Sequence, residues 1–483
     1  MTDKSENRRQ ALRALPSVDA LLRTEAALSL RETLGAQHLA DLARRVTEEL
    51  RARLQKDGSD AEEDQQNGDR TREGLLAEAA LMLRRAGAAE ETTGRLRRVV
   101  NASGVILHTN LGRAPLSEAA RDRVAVEAGG YCTLEYDALT GRRGRRGARV
   151  EQLLTEVTGA EAALVVNNCA AAALLVLTAL AQGGESLVSR GELVEIGGDF
   201  RVPDVMAQSG TRLVEVGTTN RTRLADYERA ITEGTRLIVR VHTSNYRIVG
   251  FTATPSLAEL AELAHKRGLT LYEDAGSGAL FDLRAYGLEG EPVILESVRS
   301  GADVVSFSGD KLLGAAQAGL IVGRRPVIEA LRKHPLYRAL RADKLALAAL
   351  EATLEAHRRG ASFKEVPALR MLAMTREEIE GRARALLSRL AERRGPATSS
   401  LRYEVTPGES AIGGGSAPTA HPQTALIALT HEKMSADALE EALRSGATPV
   451  IARIMEDKVL LDLRTVAEDE DALVLDALSA IST

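Results

Sequence analysis

Three polar groups in the middle of this 483-residue chain stand where apolar runs end, and each could take part in chemistry. Asn168 and Cys169 follow the run AALVV and precede an alanine- and leucine-rich helical segment, whose first N–H groups could bind an anion such as a phosphate. Asp274 stands at the end of LTLYED, before a Gly-Ser-Gly turn, and Lys311 follows VVSFS with glycines on both sides. A buried carboxylate needs a charged partner, and a desolvated lysine can form a Schiff base with a carbonyl carbon.

Each of these groups also has an ordinary structural explanation when it is taken singly. Asn168 could simply cap the helix, Asp274 could form a turn or a cap, and Lys311 could keep its ammonium group in surface water. Cys169 could be a catalytic thiol, although no histidine lies near it in the sequence. The residues alone leave these alternatives open.

The segment from residue 91 to 360 predicts how the three groups are positioned. Short apolar runs such as TRLIVRV alternate with helical segments such as SLAELAELAHK, which is typical of βαβ units with a mainly parallel sheet covered by helices. Ligands of such sheets bind at the carboxyl ends of the strands, where these groups fall. The order of phosphate turn, Asp274 and Lys311 matches fold-type I pyridoxal-phosphate (PLP) enzymes, in which a lysine holds the cofactor and an acid keeps its ring nitrogen protonated.

The remaining sequence predicts two smaller domains. Residues 1–90 form a helical domain, in which Leu39, Leu42, Val46 and Leu50 make an apolar stripe. Its basic residues could dock RNA or could simply form a solvated helix face. The acidic stretch 56–73 predicts a flexible loop, and residues 361–483 predict a small C-terminal α/β domain.

Composition excludes several classes of protein. The chain has 63 Lys and Arg against 68 Asp and Glu, a net charge of −5, so a nucleic-acid partner must be met by local basic surface. Its two cysteines cannot build a disulfide framework or a multi-cysteine zinc site. The charged N-terminus lacks a signal-peptide core, and the longest apolar run, Cys169 to Ala181, is shorter than the roughly 20 residues that span a bilayer. We expect a soluble, cytoplasmic protein.

Longer motifs carry a more specific resemblance, which runs from about residue 15 to the C-terminus. HTNLGR, HTSNYRIVGF and SGDKLLG are too long to match by chance, and the chain resembles the bacterial selenocysteine synthase family, the L-seryl-tRNA(Sec) selenium transferases. The other matching segments are LPSVDALL, LEYDALTGRRGRRG, VSRGELVEIGGDFRVPDVM and IGGGSAP. The resemblance implies an aminotransferase-like, fold-type I PLP-dependent transferase.

The resemblance also implies an activity and a set of site residues. Serine esterified to tRNA(Sec) would undergo β-elimination to aminoacrylyl-tRNA, which then accepts selenium from selenophosphate. Lys311 and Asp274 would be catalytic, and Asn168, Cys169 and Ser308 would join them in binding PLP. Cys169 stands where family members often have asparagine, so a side-chain contact from this position to the phosphate is in doubt.

Selenophosphate is an anion, and the resemblance assigns its binding to Arg113, Arg338 and Arg341. The spacing of the last two predicts that both lie on one side of a helix, although such a helix could also expose its charges to solvent. The arginine-rich loop at 142–149 could meet the tRNA or form a subunit interface. The family implies a homo-oligomer built from dimers, a ring of five dimers in bacterial members.

Two other functions compete with this one. A homologous PLP-dependent lyase would act on a small molecule such as an aminosugar-acid phosphate and would not bind tRNA. A non-catalytic RNA-binding or assembly protein could keep the fold, but the presence of both Lys311 and Asp274 favours an enzyme.

Overall fold

The computed structural model describes residues 12–56, 71–92, 96–197, 200–394 and 400–481. The chain divides into two compact units, the first ending at Arg98 and the second beginning at Val99. The separate domain predicted from residue 361 onward lies within the second unit, and its boundary stays a prediction. Most of the acidic stretch predicted to be a loop lies outside the described residues.

The first unit is helical, as the sequence predicts. The apolar stripe Leu39, Leu42, Val46 and Leu50 is buried, and it packs against other helices of the same unit. The hydroxyl of Thr24 accepts a bond from the N–H of Ala27 and so caps the second helix. The helices are α1 (Val18–Leu22), α2 (Glu25–Leu34), α3 (Ala36–Lys56) and α4 (Arg72–Thr92).

The second unit alternates strands and helices. Its strands are β1 (Val100–Asn101), β2 (Val105–Leu107), β3 (Tyr136–Asp137), β4 (Arg142–Arg143), β5 (Ala162–Val166), β6 (Glu185–Ser189), β7 (Glu195–Gly197), β8 (Phe200–Arg201), β9 (Arg212–Val216), β10 (Thr235–Val241), β11 (Thr270–Gly276), β12 (Val304–Ser308), β13 (Gly319–Gly323), β14 (Leu401–Glu409), β15 (Ala411–Gly413), β16 (Gln423–His431), β17 (Val450–Ile451), β18 (Arg453–Met455) and β19 (Lys458–Asp462). Its helices are α5 (Glu118–Ala128), α6 (Ala148–Thr158), α7 (Cys169–Ala181), α8 (Val202–Ser209), α9 (Leu224–Ala230), α10 (Leu257–Lys266), α11 (Ile294–Arg299), α12 (Arg325–Lys333), α13 (Pro335–Leu340), α14 (Lys344–Arg358), α15 (Ser362–Glu365), α16 (Pro367–Ala373), α17 (Arg376–Arg394), α18 (Ala436–Arg444) and α19 (Asp471–Ala480).

A seven-stranded sheet forms the centre of this unit, in the order β5-β13-β12-β11-β10-β6-β9. Only β13 runs antiparallel to its neighbours, so the predicted mainly parallel sheet is confirmed. Successive residues of β10 alternate between two hydrophobic cores, with Ile238 in one and Leu237 and Val239 in the other. The sheet is therefore covered on both faces, and its polar residues collect where its strands end.

The C-terminal part of this unit contains a four-stranded antiparallel sheet, in the order β14-β16-β19-β18. It also contains the helices α17, α18 and α19, so this region combines helices and strands, as the sequence predicts. Two short strands from the start of the unit join this region, because β1 pairs with β17 and β2 pairs with β15. Among the described residues, no helix is both long enough and apolar enough to cross a membrane.

Candidate active site

Asp274 lies at the carboxyl end of β11, and its carboxylate faces other polar side chains. Ser306 is its register partner on β12, and the serine hydroxyl donates to Asp274 Oδ1 at 3.0 Å. The thiol of Cys169 approaches the same oxygen at 3.6 Å. Burial raises the pKa of Asp274, while the hydrogen bond from Ser306 and the charge of Lys311 act in the opposite direction. Asp274 therefore belongs to a strand and a polar cluster, not to a helix cap.

Lys311 lies in the turn after β12 and is buried, with 4% of its surface exposed. The alternative of a surface lysine is therefore wrong. The turn is held by bonds from Gly309 N to Ala318 O at 2.9 Å and from Gly314 N to Lys311 O at 2.9 Å. A β-carbon on Gly309 would lie 2.5 Å from a backbone oxygen, so only glycine fits beside the lysine. Lys311 and Asp274 are close enough to interact electrostatically.

The amino end of α7 has the cap that the sequence predicts. Asn168 Oδ1 accepts the N–H of Ala171 at 2.8 Å, so this side chain is already used in capping. The backbone N–H groups of Cys169 and Ala170 have no acceptor within the described part of the chain. These two donors, at the positive end of the helix dipole, remain available to an anion.

The thiol of Cys169 approaches Asp274. Burial raises the pKa of its thiol, and the nearby charge of Asp274 raises it further, against the smaller effects of Lys311, Ser308 and Ser306. A thiolate is therefore strongly disfavoured, so the geometry does not support a catalytic thiol. Ser308 is buried beside the sulfur.

The three arginines expected to bind an anion have different surroundings. Arg113 Nη1 donates to Asp310 Oδ2 at 2.7 Å, and Asp310 precedes the buried lysine. Arg341 Nη1 lies 3.2 Å from Glu135 Oε1. Arg338 is exposed on α13 and has no ion pair among the described residues.

One expectation about these arginines is wrong. Arg338 and Arg341 do not share a helix face, because α13 ends at Leu340 and Arg341 has an extended backbone with ψ of 143°. The helix stops where the Leu340 carbonyl accepts the N–H of Asn167, at 2.8 Å, and Arg341 bridges to Val166.

The arginine-rich loop is largely neutralised by carboxylates of its own chain. Glu135 accepts from Arg146 Nε at 2.8 Å and from Arg143 Nη2 at 2.8 Å. These bonds, that of Arg146 first, lower the pKa of Glu135 to about 2. Arg145 pairs with Glu151.

Sequence reasoning missed a polar cavity on the other side of the sheet. Arg240 and Glu273 are register partners, one residue before Val241 and Asp274, so they face the opposite way from Asp274. They line a cavity of about 320 Å³ together with Glu192. Burial raises the pKa of Glu192 to about 7, although Arg240 acts against this.

Comparison with known proteins gives consistent matches. The family model described as L-seryl-tRNA selenium transferase matches residues 99–467, and the model described as selenocysteine synthase N terminal matches residues 12–51. An L-seryl-tRNA(Sec) selenium transferase of Geobacter sulfurreducens is 51% identical, over 82% of this chain and 85% of the relative. Those of Hyphomonas neptunium and Moorella thermoacetica are 45% and 48% identical, over 98% and 96% of this chain and 99% and 95% of the relatives.

A solved structure shows the same fold. The structure of D-glucosaminate-6-phosphate ammonia-lyase is 24% identical to this chain, with a TM-score of 0.54, and the match covers 81% of this chain and 97% of that one. At this identity the similarity concerns the fold alone. It supports the predicted α/β architecture.

Proposed function

This chain belongs to the L-seryl-tRNA selenium transferase family, and from that premise we propose that it converts L-seryl-tRNA(Sec) to L-selenocysteinyl-tRNA(Sec) with selenophosphate as the selenium donor. The observation that carries the proposal is the juxtaposition of buried Lys311 and Asp274 within the segment that matches the family model. The enzyme is PLP-dependent.

The residues present fit this cofactor. Asp274 Oδ2 accepts no hydrogen bond from the described residues, so it can accept one from the protonated ring nitrogen. The free N–H groups at the start of α7 suit the phosphate, with Ser308 nearby. Bound PLP supplies an electron sink for the negative charge that develops at the α-carbon of the seryl group, which allows the β-hydroxyl to leave.

Each residue then has a defined task. Lys311 Nζ binds the cofactor and moves the proton at the α-carbon of the substrate, and its burial excludes bulk water from that transfer. Asp274 holds the proton on the ring nitrogen. Asn168 fixes the first turn of α7 through its cap, and the side chain of Cys169 lies beside Asp274 while its backbone N–H stays available to the phosphate.

Arg113, Arg338 and Arg341 are proposed to bind selenophosphate. The contact of Arg113 with Asp310 supports this. Asp310 directly precedes Lys311 in the chain, so the contact anchors the Arg113 guanidinium group at the turn that carries the lysine. Arg341 can exchange its contact with Glu135 for an anionic ligand. Exposed Arg338 is free to turn toward that ligand.

The partners and the location complete the proposal. The helical first unit docks tRNA(Sec), which is supported by its match to the selenocysteine synthase N-terminal model at residues 12–51. The assembly is a homo-oligomer built from dimers, as the family implies, and the enzyme works in the cytoplasm, where its aminoacyl-tRNA substrate is made. Sedimentation of the full chain with and without tRNA(Sec) measures both the assembly and the docking.

The lyase alternative is less supported. The ammonia-lyase similarity rests on 24% identity, whereas transferases are 45–51% identical over most of the chain. Incubation with free amino acids and aminosugar-acid phosphates separates the two functions, since only a lyase releases ammonia from them.

The proposed function is tested by incubating the purified full chain, loaded with PLP, with seryl-tRNA(Sec) and selenophosphate. We expect selenocysteinyl-tRNA(Sec) from wild type and from Lys266→Ala, which changes an exposed lysine on α10. Lys311→Ala should form none. Absence of product from wild type with authentic tRNA and donor would reject the proposal.

A further inference from the structure

Two buried residues behind Asp274 have no role in the account so far. Tyr272 precedes Asp274 by two positions on β11, so both project from the same face of the sheet. Ser306 is the register partner of Asp274 on β12. Tyr272 is 1% exposed and Ser306 is 0% exposed, so water does not complete their hydrogen bonding.

The hydrogen bonds between these groups can run in only one direction when Asp274 is ionised. The hydroxyl of Ser306 carries one hydrogen, which it donates to Asp274 Oδ1 at 3.0 Å. The 2.8 Å bond between Tyr272 Oη and Ser306 Oγ must then be donated by the tyrosine. The relay therefore points two O–H dipoles, one behind the other, at a single carboxylate oxygen.

The two carboxylate oxygens of Asp274 differ in their hydrogen-bond donors. Ser306 Oγ and Cys169 Sγ both approach Oδ1, at 3.0 and 3.6 Å. Oδ2 accepts no bond from any part of the chain that the structure describes. The carboxylate is thus fixed through one oxygen, and the other can accept an N–H from outside the chain.

The pKa shifts of Asp274 and Tyr272 agree with this direction of hydrogen bonding. Burial raises the pKa of Asp274 and favours its neutral form, and the bond from Ser306 is the first of the effects that oppose it. Burial also raises the pKa of Tyr272 well above its usual value of 10.0, so the phenol keeps its hydrogen and remains a donor. Removal of either hydroxyl weakens the stabilisation of the carboxylate.

The geometry points to Ser306 and Tyr272 as positioning residues that hold Asp274 ionised, with Oδ2 directed to the ring nitrogen of the cofactor. This inference deepens the proposed function and rests on PLP binding. It assigns the two hydroxyls an effect on one atom of the ligand, the ring nitrogen, and no direct contact with substrate.

The test compares two ligands of the full-length protein freed of cofactor: PLP and its 1-deaza analogue, which has carbon in place of the ring nitrogen. Ser306→Ala should raise the Kd of PLP about tenfold, the effect of losing a hydrogen bond to a charged group. Tyr272→Phe should raise it about threefold, because it acts through Ser306. The Kd of the deaza analogue should change less than twofold in both variants.

Two matched controls separate this effect from general loss of buried hydroxyls. Ser186→Ala removes a fully buried strand serine that bonds Thr211 at 2.8 Å. Tyr227→Phe removes the hydroxyl of a buried tyrosine in the other core of the sheet. Neither control should change the Kd of PLP by more than twofold.

Equal losses of affinity for both ligands, or no loss for PLP, would overturn the inference while the proposed function stands. Failure of wild type to bind PLP would instead overturn the proposed function. Thermal melting of the cofactor-free variants checks that they fold. If Ser306→Ala does not fold, Tyr272→Phe, which keeps the ring and its packing, decides the question by the same comparison.

Discussion

Two aspartates in the second unit, Asp274 and Asp462, differ in how many of their carboxylate oxygens accept hydrogen bonds. Asp462 Oδ1 accepts the hydroxyl of Thr424 at 2.9 Å and the N–H of Arg464 at 3.0 Å, and its Oδ2 accepts the hydroxyl of Ser410 at 2.7 Å. At Asp274 the donors reach Oδ1 alone. One carboxylate is satisfied by its own chain, whereas the other is left half-satisfied.

The two buried cations, Arg464 near Asp462 and Lys311 near Asp274, show the same contrast in their hydrogen bonds. Arg464 is 1% exposed, and it donates to the carbonyls of Met371, Met374 and Gln423 at 2.7 to 2.8 Å. Lys311 is equally buried, but no hydrogen bond from its ammonium group to the described residues is present. Burial alone therefore does not identify a functional charge. The unused hydrogen-bonding capacity of Lys311 and of Asp274 Oδ2, side by side in one site, leaves both groups available to a ligand.

The largest effect that tests this contrast is expected at Lys311. Lys311→Ala removes the amine that we propose moves the substrate proton, so turnover of seryl-tRNA(Sec) should fall by about three orders of magnitude or more. Its melting temperature without cofactor should match that of wild type, since the amine bonds nothing that the structure describes. A large loss of stability with activity retained would reverse the assignment.

The complementary change is Arg464→Met. Removal of a buried guanidinium group leaves three carbonyls without their donor and removes the positive charge that lies near Asp462, so the free energy of unfolding should fall by about 3–5 kcal/mol. Urea denaturation measures it. Arg402→Met is the control, because Arg402 pairs with Glu432 on the surface, and its loss should cost less than about 1 kcal/mol. An Arg464→Met protein as stable as the control would contradict a structural role for the network.

The cavity opposite Asp274 predicts a pH effect of intermediate size. The pKa of Glu192 is about 7 in the folded protein and about 4.5 when solvated, so the folded state binds more protons between these values. Stability should therefore fall as pH rises from 4.5 to 7, by about 3 kcal/mol from this group. Glu192→Gln should lose this part of the pH dependence in urea denaturation. An unchanged slope would show that Glu192 is ionised throughout.

The smallest effect is expected at the surface cluster around Glu135. Glu135→Gln weakens the contacts with Arg143, Arg146 and Arg341, and stability should change by less than about 1 kcal/mol because these groups are partly solvated. Arg341 then no longer gives up a charged contact when it binds the anion, so the KM for selenophosphate should fall about threefold with kcat unchanged. An unchanged KM would separate Arg341 from the selenium donor.

Features that depend on local sequence were predictable. Apolar runs located β10, β11 and β12, and the polar residues that follow them placed Asp274 and Lys311 at strand ends. The spacing of Leu39, Leu42, Val46 and Leu50 located the buried face of α3.

Features that depend on contacts between distant segments were not predictable. The end of α13 before Arg341 results from a bond to Asn167, more than 170 residues away in the chain. The hydrogen-bonded chain of Tyr272, Ser306 and Asp274 forms only because β11 and β12 pair in this register. No periodicity within either strand reveals that register. The approach of the Cys169 thiol to Asp274 likewise joins residues that lie 105 positions apart in the chain.

The central claim is that Lys311 carries the cofactor, and peptide mapping tests it most directly. The PLP-loaded protein is reduced with borohydride, which makes the bond between the cofactor and its lysine permanent, then digested and analysed by mass spectrometry. The account predicts the phosphopyridoxyl label on the peptide that contains Lys311, in stoichiometric amount. A label on another lysine, or none, would contradict it.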